Sequence, residues 1–427
     1  MTERSAWALW PITAALAWGS PALAQQINWP QSYLDSGHTG DNKKESTLSV
    51  GNVSGLQLVW GQSTDNCQTF ADALDKGTIY EMGLESDCNT WNLQALDATT
   101  GAVKWDVPTG NPGTSFGQTL ATGKGLVFTA CAFTDTIGSL YGAMCAYSET
   151  DGHLVWQDSS PCNCQPESAI GAQPVYANGT VYYGYGNGGG TCGGDTKYVV
   201  AADASTGAVR WTYVTGDCNS LANAAIAVAN GAVYFGCDGG GVHEICAISQ
   251  SDGSLLWQSP NLGDNITGLV ATKLAIYVDV CGTNALDVLN AATGAQIWSN
   301  STLSCNGQSM VSLAGRNLYY VTPGHQFVDL LARTGKLKWS VAAGQVPTGT
   351  ASVANGVVYV PGGPNEGRST GTAAYDASSG ALLWNSTDDS YGIPPPPIVA
   401  NGVVYAANDA TCGSVCAYAL PTEIIRH

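Results

Sequence analysis

Short runs of β-branched, aromatic and small apolar residues, each ended by a turn sequence, fill most of the chain. In one example, YVVAAD (198–203) leads through the turn ASTG to AVRWTYV (208–214), in which apolar and polar residues alternate. Such runs predict β-strands, and Thr-Gly or Asn-Gly between two of them predicts a tight hairpin. No long stretch shows the 3.6-residue apolar period of an amphipathic helix. We therefore expect an all-β protein.

A tryptophan recurs every 41 to 55 residues, and from the second onward it follows a turn such as TTG in TTGAVKW. A period of this length with one large aromatic residue per unit is typical of a β-propeller. Each unit predicts four antiparallel strands, A to D, with short A–B and C–D turns on one face and longer B–C and D–A loops on the other. We expect the indoles to pack between neighbouring blades. The repeated tryptophans are Trp60, Trp105, Trp156, Trp211, Trp257, Trp298, Trp339 and Trp384.

Eight tryptophans predict an eight-bladed propeller, but the units at the two ends are incomplete. GLQLVW (55–60) supplies a D strand without A, B or C, whereas residues 398–420 supply A, B and C strands without D. Joining them would close the ring and complete the last blade. We therefore predict one domain over residues 25–427, closed by an N-terminal strand that joins the C-terminal blade.

The first 24 residues have the pattern of a secretory signal peptide. Arg4 provides the positive charge, an apolar stretch follows, and Ala22-Leu23-Ala24 forms a cleavage site before Gln25. No later stretch is apolar enough to span a membrane. The formal net charge of −18 disfavours binding to nucleic acid or anionic lipid. We expect a secreted, extracellular protein at the cell surface or in the matrix.

Cysteines and glycosylation sequons support the same compartment. Fourteen cysteines in a secreted chain predict disulfides, all on the long-loop face. Proximity suggests the pairs Cys67–Cys88, Cys131–Cys145, Cys237–Cys246, Cys281–Cys305 and Cys412–Cys416, with the others pairing among Cys162, Cys164, Cys192 and Cys218. The predicted N-glycosylation sites are Asn52, Asn178, Asn265, Asn300 and Asn385.

The repeat A-x-D-x-x-T-G-x-x-x-W, present as Ala95–Trp105 and Ala201–Trp211, resembles the tryptophan-docking repeat of quinoprotein dehydrogenases. These enzymes use pyrroloquinoline quinone (PQQ) and include the polyvinyl alcohol dehydrogenase group. The segment INWPQSYLDSGHTGDNKKESTLSVGNVSGLQLVW (27–60) is also similar to their opening segment. The resemblance extends over essentially the whole chain after the signal peptide. It implies a propeller whose funnel holds PQQ and a Ca²⁺ ion bound by oxygen ligands.

The resemblance also assigns candidate site residues. Asn187 in YYGYGNGGG matches the family's asparagine ligand of Ca²⁺, and Asp135 lies offset from the position of a second ligand. Asp217 is the nearest candidate for the base that takes the alcohol proton. Lys197 and Arg368 are candidate cations for the carboxylates of PQQ.

The sequence departs from the family's pattern at several points. No Glu precedes Gly142 at the ligand position, no Trp lies near residues 168–173 to stack on PQQ, and no C-x-x-C-H motif attaches a haem. These departures favour a secreted propeller that binds an extracellular protein or a glycan, or that self-associates in a structural role. The alternative is a PQQ- and Ca²⁺-dependent alcohol dehydrogenase with an altered site.

A third hypothesis is a carbohydrate-binding propeller. Aromatic side chains on the long-loop face would then stack on sugar rings, and Tyr185, Trp91 and Tyr391 are the candidates.

Overall fold

The computed structural model describes residues 26–421 with several gaps. Strands dominate the described residues, and the one helical element is a 3-10 turn, Val53–Gly55. No helix in this part of the chain is long and apolar enough to cross a membrane. The described ranges are 26–62, 68–84, 91–110, 119–134, 140–158, 169–186, 197–215, 226–239, 242–264, 266–280, 285–301, 311–322, 326–342, 350–361, 371–386, 395–409 and 413–421.

The described strands form eight sheets arranged as the blades of a propeller, each built on four antiparallel strands. Two strands precede the first complete blade, β1 (Asp41–Asn42) and β2 (Gln57–Gln62). Blade I contains β3 (Gln68–Asp75), β4 (Thr78–Leu84), β5 (Trp91–Asp97) and β6 (Val103–Gly110), and blade II contains β7 (Leu120–Gly123), β8 (Leu126–Thr134), β9 (Leu140–Ser148) and β10 (Leu154–Asp158). Blade III contains β11 (Ala169–Ala177), β12 (Thr180–Gly186), β13 (Lys197–Asp203) and β14 (Val209–Thr215), and blade IV contains β15 (Ala227–Ala229), β16 (Ala232–Gly239), β17 (Val242–Ser249) and β18 (Leu255–Gln258). Blade V contains β19 (Ile266–Ala271), β20 (Ala275–Val280), β21 (Ala285–Asn290) and β22 (Gln296–Asn300), and blade VI contains β23 (Ser312–Ala314), β24 (Asn317–Val321), β25 (Gln326–Leu331) and β26 (Leu337–Ala342). Blade VII contains β27 (Ser352–Ala354), β28 (Val357–Pro361), β29 (Thr372–Asp376) and β30 (Leu382–Asn385), and blade VIII contains β31 (Ile398–Ala400), β32 (Val403–Asp409) and β33 (Gly413–Ala419).

The ring closes as the sequence predicted. Strand β2 pairs antiparallel with β33, with Leu58 opposite Tyr418, and so becomes the D strand of blade VIII. Strand β1 adds a parallel fifth strand to blade VII, with Asp41 opposite Val353. The two ends of the chain are therefore fastened to the same region of the ring.

Tight A–B turns fix the register of the inner hairpins. In four of them an Asn adopts a positive φ and a Gly follows, as the two-residue hairpin turn requires. The asparagines are Asn178, Asn230, Asn355 and Asn401, with φ of 51°, 54°, 46° and 57°. Because the turns are short, each A strand is aligned with its B strand from the first residue after the turn.

Each repeated tryptophan joins its blade to the next one. The indole of Trp156 covers Gly207 in the C–D turn of blade III, where a Cβ would lie 2.8 Å from the ring. Its Nε1–H donates to the carbonyl of Ala204 at 2.9 Å. The other bonds of this kind run from Trp60 to Ala98, Trp105 to Glu149, Trp211 to Gln250, Trp257 to Ala291, Trp298 to Ala332, Trp339 to Ala377 and Trp384 to Leu56, at 3.0 to 3.3 Å.

The hydrophobic core is divided into clusters that lie between adjacent blades. Between blades III and IV, for example, Val175 and Tyr182 pack against Val228 and Phe235. Because every blade buries both faces in this way, the strands contribute mostly small and β-branched residues to the interior.

Two disulfides are present among the described cysteines, and both match pairs expected from the sequence. Cys131 is bonded to Cys145 and Cys237 to Cys246, each joining the B and C strands of one blade. Cys416 is also disulfide-bonded. The remaining cysteines lie outside the described residues and are Cys67, Cys88, Cys162, Cys164, Cys192, Cys218, Cys281, Cys305 and Cys412.

The sequons differ in their surroundings. Asn178 is exposed at the tip of an A–B turn. The amide of Asn52 is engaged locally, since its Nδ2 donates to the carbonyl of Thr47 at 2.8 Å. Asn300 and Asn385 are half-buried at the ends of D strands, and Asn265 lies outside the described residues. Glycosylation stays a prediction at all five.

Candidate functional site at the channel floor

The segment from Trp29 to Asn42 runs once around the inside of the ring. It bonds to the innermost strand of every blade in ring order, always near the A–B turn. The residues that it contacts are Leu74 in β3, Thr122 in β7, Tyr176 in β11, Val228 in β15, Ala271 in β19, Leu313 in β23, Val353 in β27 and Val399 in β31. This N-terminal segment therefore forms a floor across the short-turn end of the central channel, and the long-loop end faces away from it.

Tyr33 lies at the centre of this floor. Its hydroxyl is within hydrogen-bonding reach of Gln173 in blade III and Thr350 at the start of blade VII, which stand on opposite sides of the ring. The ring of His38 packs against that of Tyr33, with centroids 5.4 Å apart. Burial and the nearby carboxylate of Asp72 raise the pKa of Tyr33. The phenol therefore stays protonated and can donate to a ligand above it.

A β-bulge turns Asp72 toward the channel. The pairing of β3 with β4 skips a residue between Ala71 and Ala73, which leaves Asp72 outside the ladder. Asp72 is only 4% exposed, and this burial raises the pKa of its carboxyl to about 7. The Ser32 hydroxyl is close enough to counter that rise in part, although the two groups form no well-aligned hydrogen bond. Asp72 is thus poised to exchange a proton near neutral pH.

Several buried polar atoms of the floor have unused bonding capacity. Ser32 Oγ, Asp72 Oδ2, Gln173 Oε1 and His38 Nδ1 all lack a hydrogen-bond partner. Burial lowers the pKa of His38 to about 4, so its ring is neutral at physiological pH. Because buried polar groups are normally satisfied, such a group of open donors and acceptors indicates a place for a bound polar molecule, water or cation.

The backbone of the floor is held in an uncommon conformation. Tyr33, Leu34 and His38 have φ of 59°, 76° and 60°, in the left-handed region that non-glycine residues rarely adopt. The carboxylate of Asp35 fastens this turn, since its Oδ1 accepts from the backbone N–H groups of Gly37 and Thr39 at 3.1 and 3.0 Å. Strain of this kind persists only where the surroundings enforce it, and it is concentrated at functional sites.

The structure does not test the residues that the sequence assigned to a cofactor site. Asn187, Asp217, Asp135 and Arg368 lie outside the described residues, and Lys197 begins β13 with only its backbone described. Their roles stay predictions. Within the described part of the chain, no three His, Cys, Asp or Glu side chains come together as a metal-binding cluster.

Sequence reasoning missed the floor itself. Tyr33, His38 and Asp72 belong to a non-repeating segment and to a bulge, so the period of the blades does not indicate them. One available signal was the placement of Asp72 in the middle of an otherwise apolar strand, FADAL (70–74).

The aromatic residues expected to stack on sugars give no such platform in the described residues. Trp91 is half-buried and packs against the cluster between blades I and II. The side chain of Tyr185 and the whole of Tyr391 lie outside the described residues. The carbohydrate-binding hypothesis therefore gains no support from Trp91.

Comparisons with known proteins agree with this architecture. The PQQ_2 family model, described as outer membrane protein assembly factor BamB, matches residues 90–284 and 282–420. In structure, the chain is similar to quinohemoprotein alcohol dehydrogenase from Comamonas testosteroni, with a TM-score of 0.71 and 14% identity, over 92% of this chain and 80% of that one. It is also similar to a europium-containing methanol dehydrogenase, with a TM-score of 0.67 and 13% identity, over 90% of each chain.

Curated relatives match over shorter segments. Tetrathionate hydrolase of Acidithiobacillus ferrooxidans is 26% identical over 181 residues, or 38% of this chain. The dehydrogenase subunit of a quinone alcohol dehydrogenase from Komagataeibacter europaeus is 27% identical over 215 residues, or 45% of this chain. The chain spans only 36% and 26% of the lengths of these two relatives. The family match covers most of the chain, and together with the eight closed blades it shows that this protein belongs to the PQQ_2 family of quinoprotein-type β-propellers.

Proposed function

We propose that this protein is a PQQ- and Ca²⁺-dependent oxidoreductase of the alcohol dehydrogenase type that acts outside the cytoplasm. The observation that carries the proposal is the floor of the central channel, where buried donors and acceptors lack partners. The resemblance places the family's cofactor in the funnel of such a propeller. The likeness in fold to two quinone-type alcohol and methanol dehydrogenases supports the same reaction class.

The donors at the floor suit the chemistry of the cofactor pair. Gln173 Oε1 is a hard oxygen ligand without a partner, of the kind that Ca²⁺ prefers. Ser32 and Tyr33 add hydroxyl groups that can donate to carboxylate or carbonyl oxygens above them. When bound, PQQ with Ca²⁺ supplies the oxidant that removes two electrons from an alcohol.

The chain's own contribution is to orient the substrate and to accept its proton. Asp72 Oδ2 is unpartnered, and the pKa of the carboxyl is about 7, so the deprotonated form is available as a base at neutral pH. Asp217 remains the alternative base and Asn187 the proposed Ca²⁺ ligand, with Lys197 and Arg368 proposed to bind the carboxylates of PQQ.

Disulfides support the proposed compartment. The two described pairs and the bonded Cys416 are typical of proteins that fold in an oxidising environment. The role as an extracellular binding or structural protein, which the sequence favoured, stays a prediction, because the relatives and the channel floor support the oxidoreductase better.

Dye-linked oxidation of primary and secondary alcohols by the full secreted protein, supplied with PQQ and Ca²⁺, tests the proposal. Asp72→Asn should reduce kcat by about 100-fold if this carboxylate is the base. Asp252→Asn, an exposed turn substitution, is the matched control and should leave the rate unchanged. Absence of dye reduction with every alcohol, in a protein whose circular dichroism spectrum is that of a folded β-protein, would contradict the proposal.

A further inference from the structure

A row of polar side chains crosses blade I through β4, β5 and β6. Glu81 on β4 is paired with Gln94 on β5, and Gln94 is paired with Asp106 on β6. Asn92 lies two residues before Gln94 and therefore faces the same side of the sheet. Four polar side chains are thus brought together on one face of a single blade.

The same strand position in the other seven blades can be compared with Glu81. Glu81 is the fourth residue of the B strand of blade I. The fourth residue of the B strand is uncharged and buried in every other blade, namely Thr129, Tyr183, Phe235, Val278, Tyr320, Val360 and Ala406. A charge at this position is therefore not a requirement of the blade.

Hydrogen bonds orient the two amides of the row. Asn92 Nδ2 donates to Asp106 Oδ1 at 3.0 Å, and Gln94 Nε2 donates to Asp106 Oδ2 at 2.7 Å. Since both nitrogens are used on Asp106, the amide oxygens are turned away from it. Asn92 Oδ1, Gln94 Oε1 and both carboxylate oxygens of Glu81 are buried and have no hydrogen-bond partner.

Because these groups are buried, leaving their polar atoms without hydrogen-bond partners costs free energy. Glu81, Asn92 and Gln94 are 0%, 3% and 5% exposed. Among the described residues, Asp106 is the one charge that acts on Glu81, and its sign is the same. A buried carboxylate without a partner costs several kcal/mol, so either a proton or a cation is expected at this position.

The row lies at the seam that closes the ring. Ile79 and Leu96, which flank Glu81 and Gln94 on the same face, pack in one cluster with Ala407 and Val415 of blade VIII. Blade VIII is the sheet assembled from both ends of the chain. A ligand at this position would therefore join the first complete blade to the closing blade.

We propose that Glu81, Asn92 and Gln94 bind a calcium ion, with Asp106 orienting the two amides, at the seam between blades I and VIII. All the donors are oxygens and the two carboxylates together carry a charge of −2, which suits a hard divalent cation. Asp106 is exposed, so an ion can reach the row from solvent past its side chain. The site is independent of the proposed oxidoreductase activity and of the channel floor.

Calcium binding by the chelator-treated full chain, measured without PQQ, tests this site. We expect calorimetry with Ca²⁺ and luminescence with Tb³⁺ to reveal a bound ion, and the thermal midpoint to be higher in Ca²⁺ than in EDTA. Absence of binding at millimolar Ca²⁺, together with equal midpoints in Ca²⁺ and EDTA, would overturn the proposal. This measurement uses the unaltered protein, so it does not depend on whether a variant folds.

Three variants assign the ion to this row. Glu81→Gln should lose one bound equivalent and the calcium-dependent rise in thermal midpoint. Glu244→Gln is the matched control, because Glu244 is a strand glutamate whose carboxylate already accepts a hydrogen bond from Gln258 on the neighbouring strand. Asn187→Ala removes the proposed Ca²⁺ ligand of the cofactor site, so it should lose only an equivalent bound there and keep the rise that depends on Glu81. If Glu81→Gln retained the same stoichiometry and rise, the ion would lie elsewhere and the proposal would be wrong.

Discussion

Substituting Gly253 tests how the tryptophans fasten one blade to the next. Gly253 lies in the C–D turn of blade IV with a φ of +71°, and a Cβ placed on it would lie 2.9 Å from the Trp211 ring. Gly231, in the A–B turn of the same blade, has a φ of +75° and nothing within 4 Å of a Cβ. The two glycines therefore share a backbone conformation and differ in their contact with an indole.

The difference between the two alanine variants measures the docking contact. Both should lose about 1–2 kcal/mol, because an L-residue is strained at positive φ. Gly253→Ala should also displace Trp211, whose Nε1–H donates to the Gln250 carbonyl at 3.1 Å. Losing that bond costs about 1 kcal/mol, and overpacking adds about 1–3 kcal/mol. We therefore expect Gly253→Ala to be about 2–4 kcal/mol less stable than Gly231→Ala.

Urea unfolding followed by far-ultraviolet circular dichroism is the appropriate assay. The comparison requires that the free energy of unfolding falls with urea concentration at the same slope in both variants. If the two variants unfolded at the same urea concentration, the indole contact would contribute nothing beyond the conformation of the turn. The reasoning about tryptophan docking would then be refuted.

Two further predictions concern a buried acid and a disulfide. Burial raises the pKa of Asp279 to about 7. A carboxyl whose pKa is raised in the folded state stabilises the protein fully below about pH 4, and this stabilisation is lost as the pH rises through 7. Acidification from pH 8 to 5 should therefore increase the free energy of unfolding. Asp279→Asn should remove about 3 kcal/mol of stabilisation between pH 8 and 5 in denaturant titrations at each pH, and an unchanged pH dependence would contradict the assignment. Replacing Cys237 and Cys246 with serine should lower the free energy of unfolding by about 2–3 kcal/mol in non-reducing urea titrations, and an unchanged midpoint would mean that this bond does not restrain the unfolded chain.

The fold was predictable because its determinants are local and repeated. A hairpin such as Ala177–Thr180 is encoded by an Asn-Gly pair between two strand sequences, and Trp156 follows its own turn within five residues. The incomplete units at the two ends were enough to predict the pairing of β2 with β33. Each of these inferences needed only a few consecutive residues or a count of the repeats.

The candidate site was not predictable in the same way, because its contacts are long-range. Tyr33 meets Gln173 and Thr350, which are far from it in sequence and belong to opposite blades. Asp72 faces the channel only because a bulge interrupts its strand. No repeat period reports such contacts, and the row at Glu81 became visible only once the strand register was known.

Equilibrium binding of PQQ to the purified protein in the presence of Ca²⁺ is the most direct test of the proposed function. Calorimetry and the absorbance of the quinone would report the same event. We expect saturable binding that is lost in chelator and in Asn187→Ala. No binding at high micromolar PQQ, in a protein that remains folded, would contradict the proposed function and return the search to protein and glycan partners.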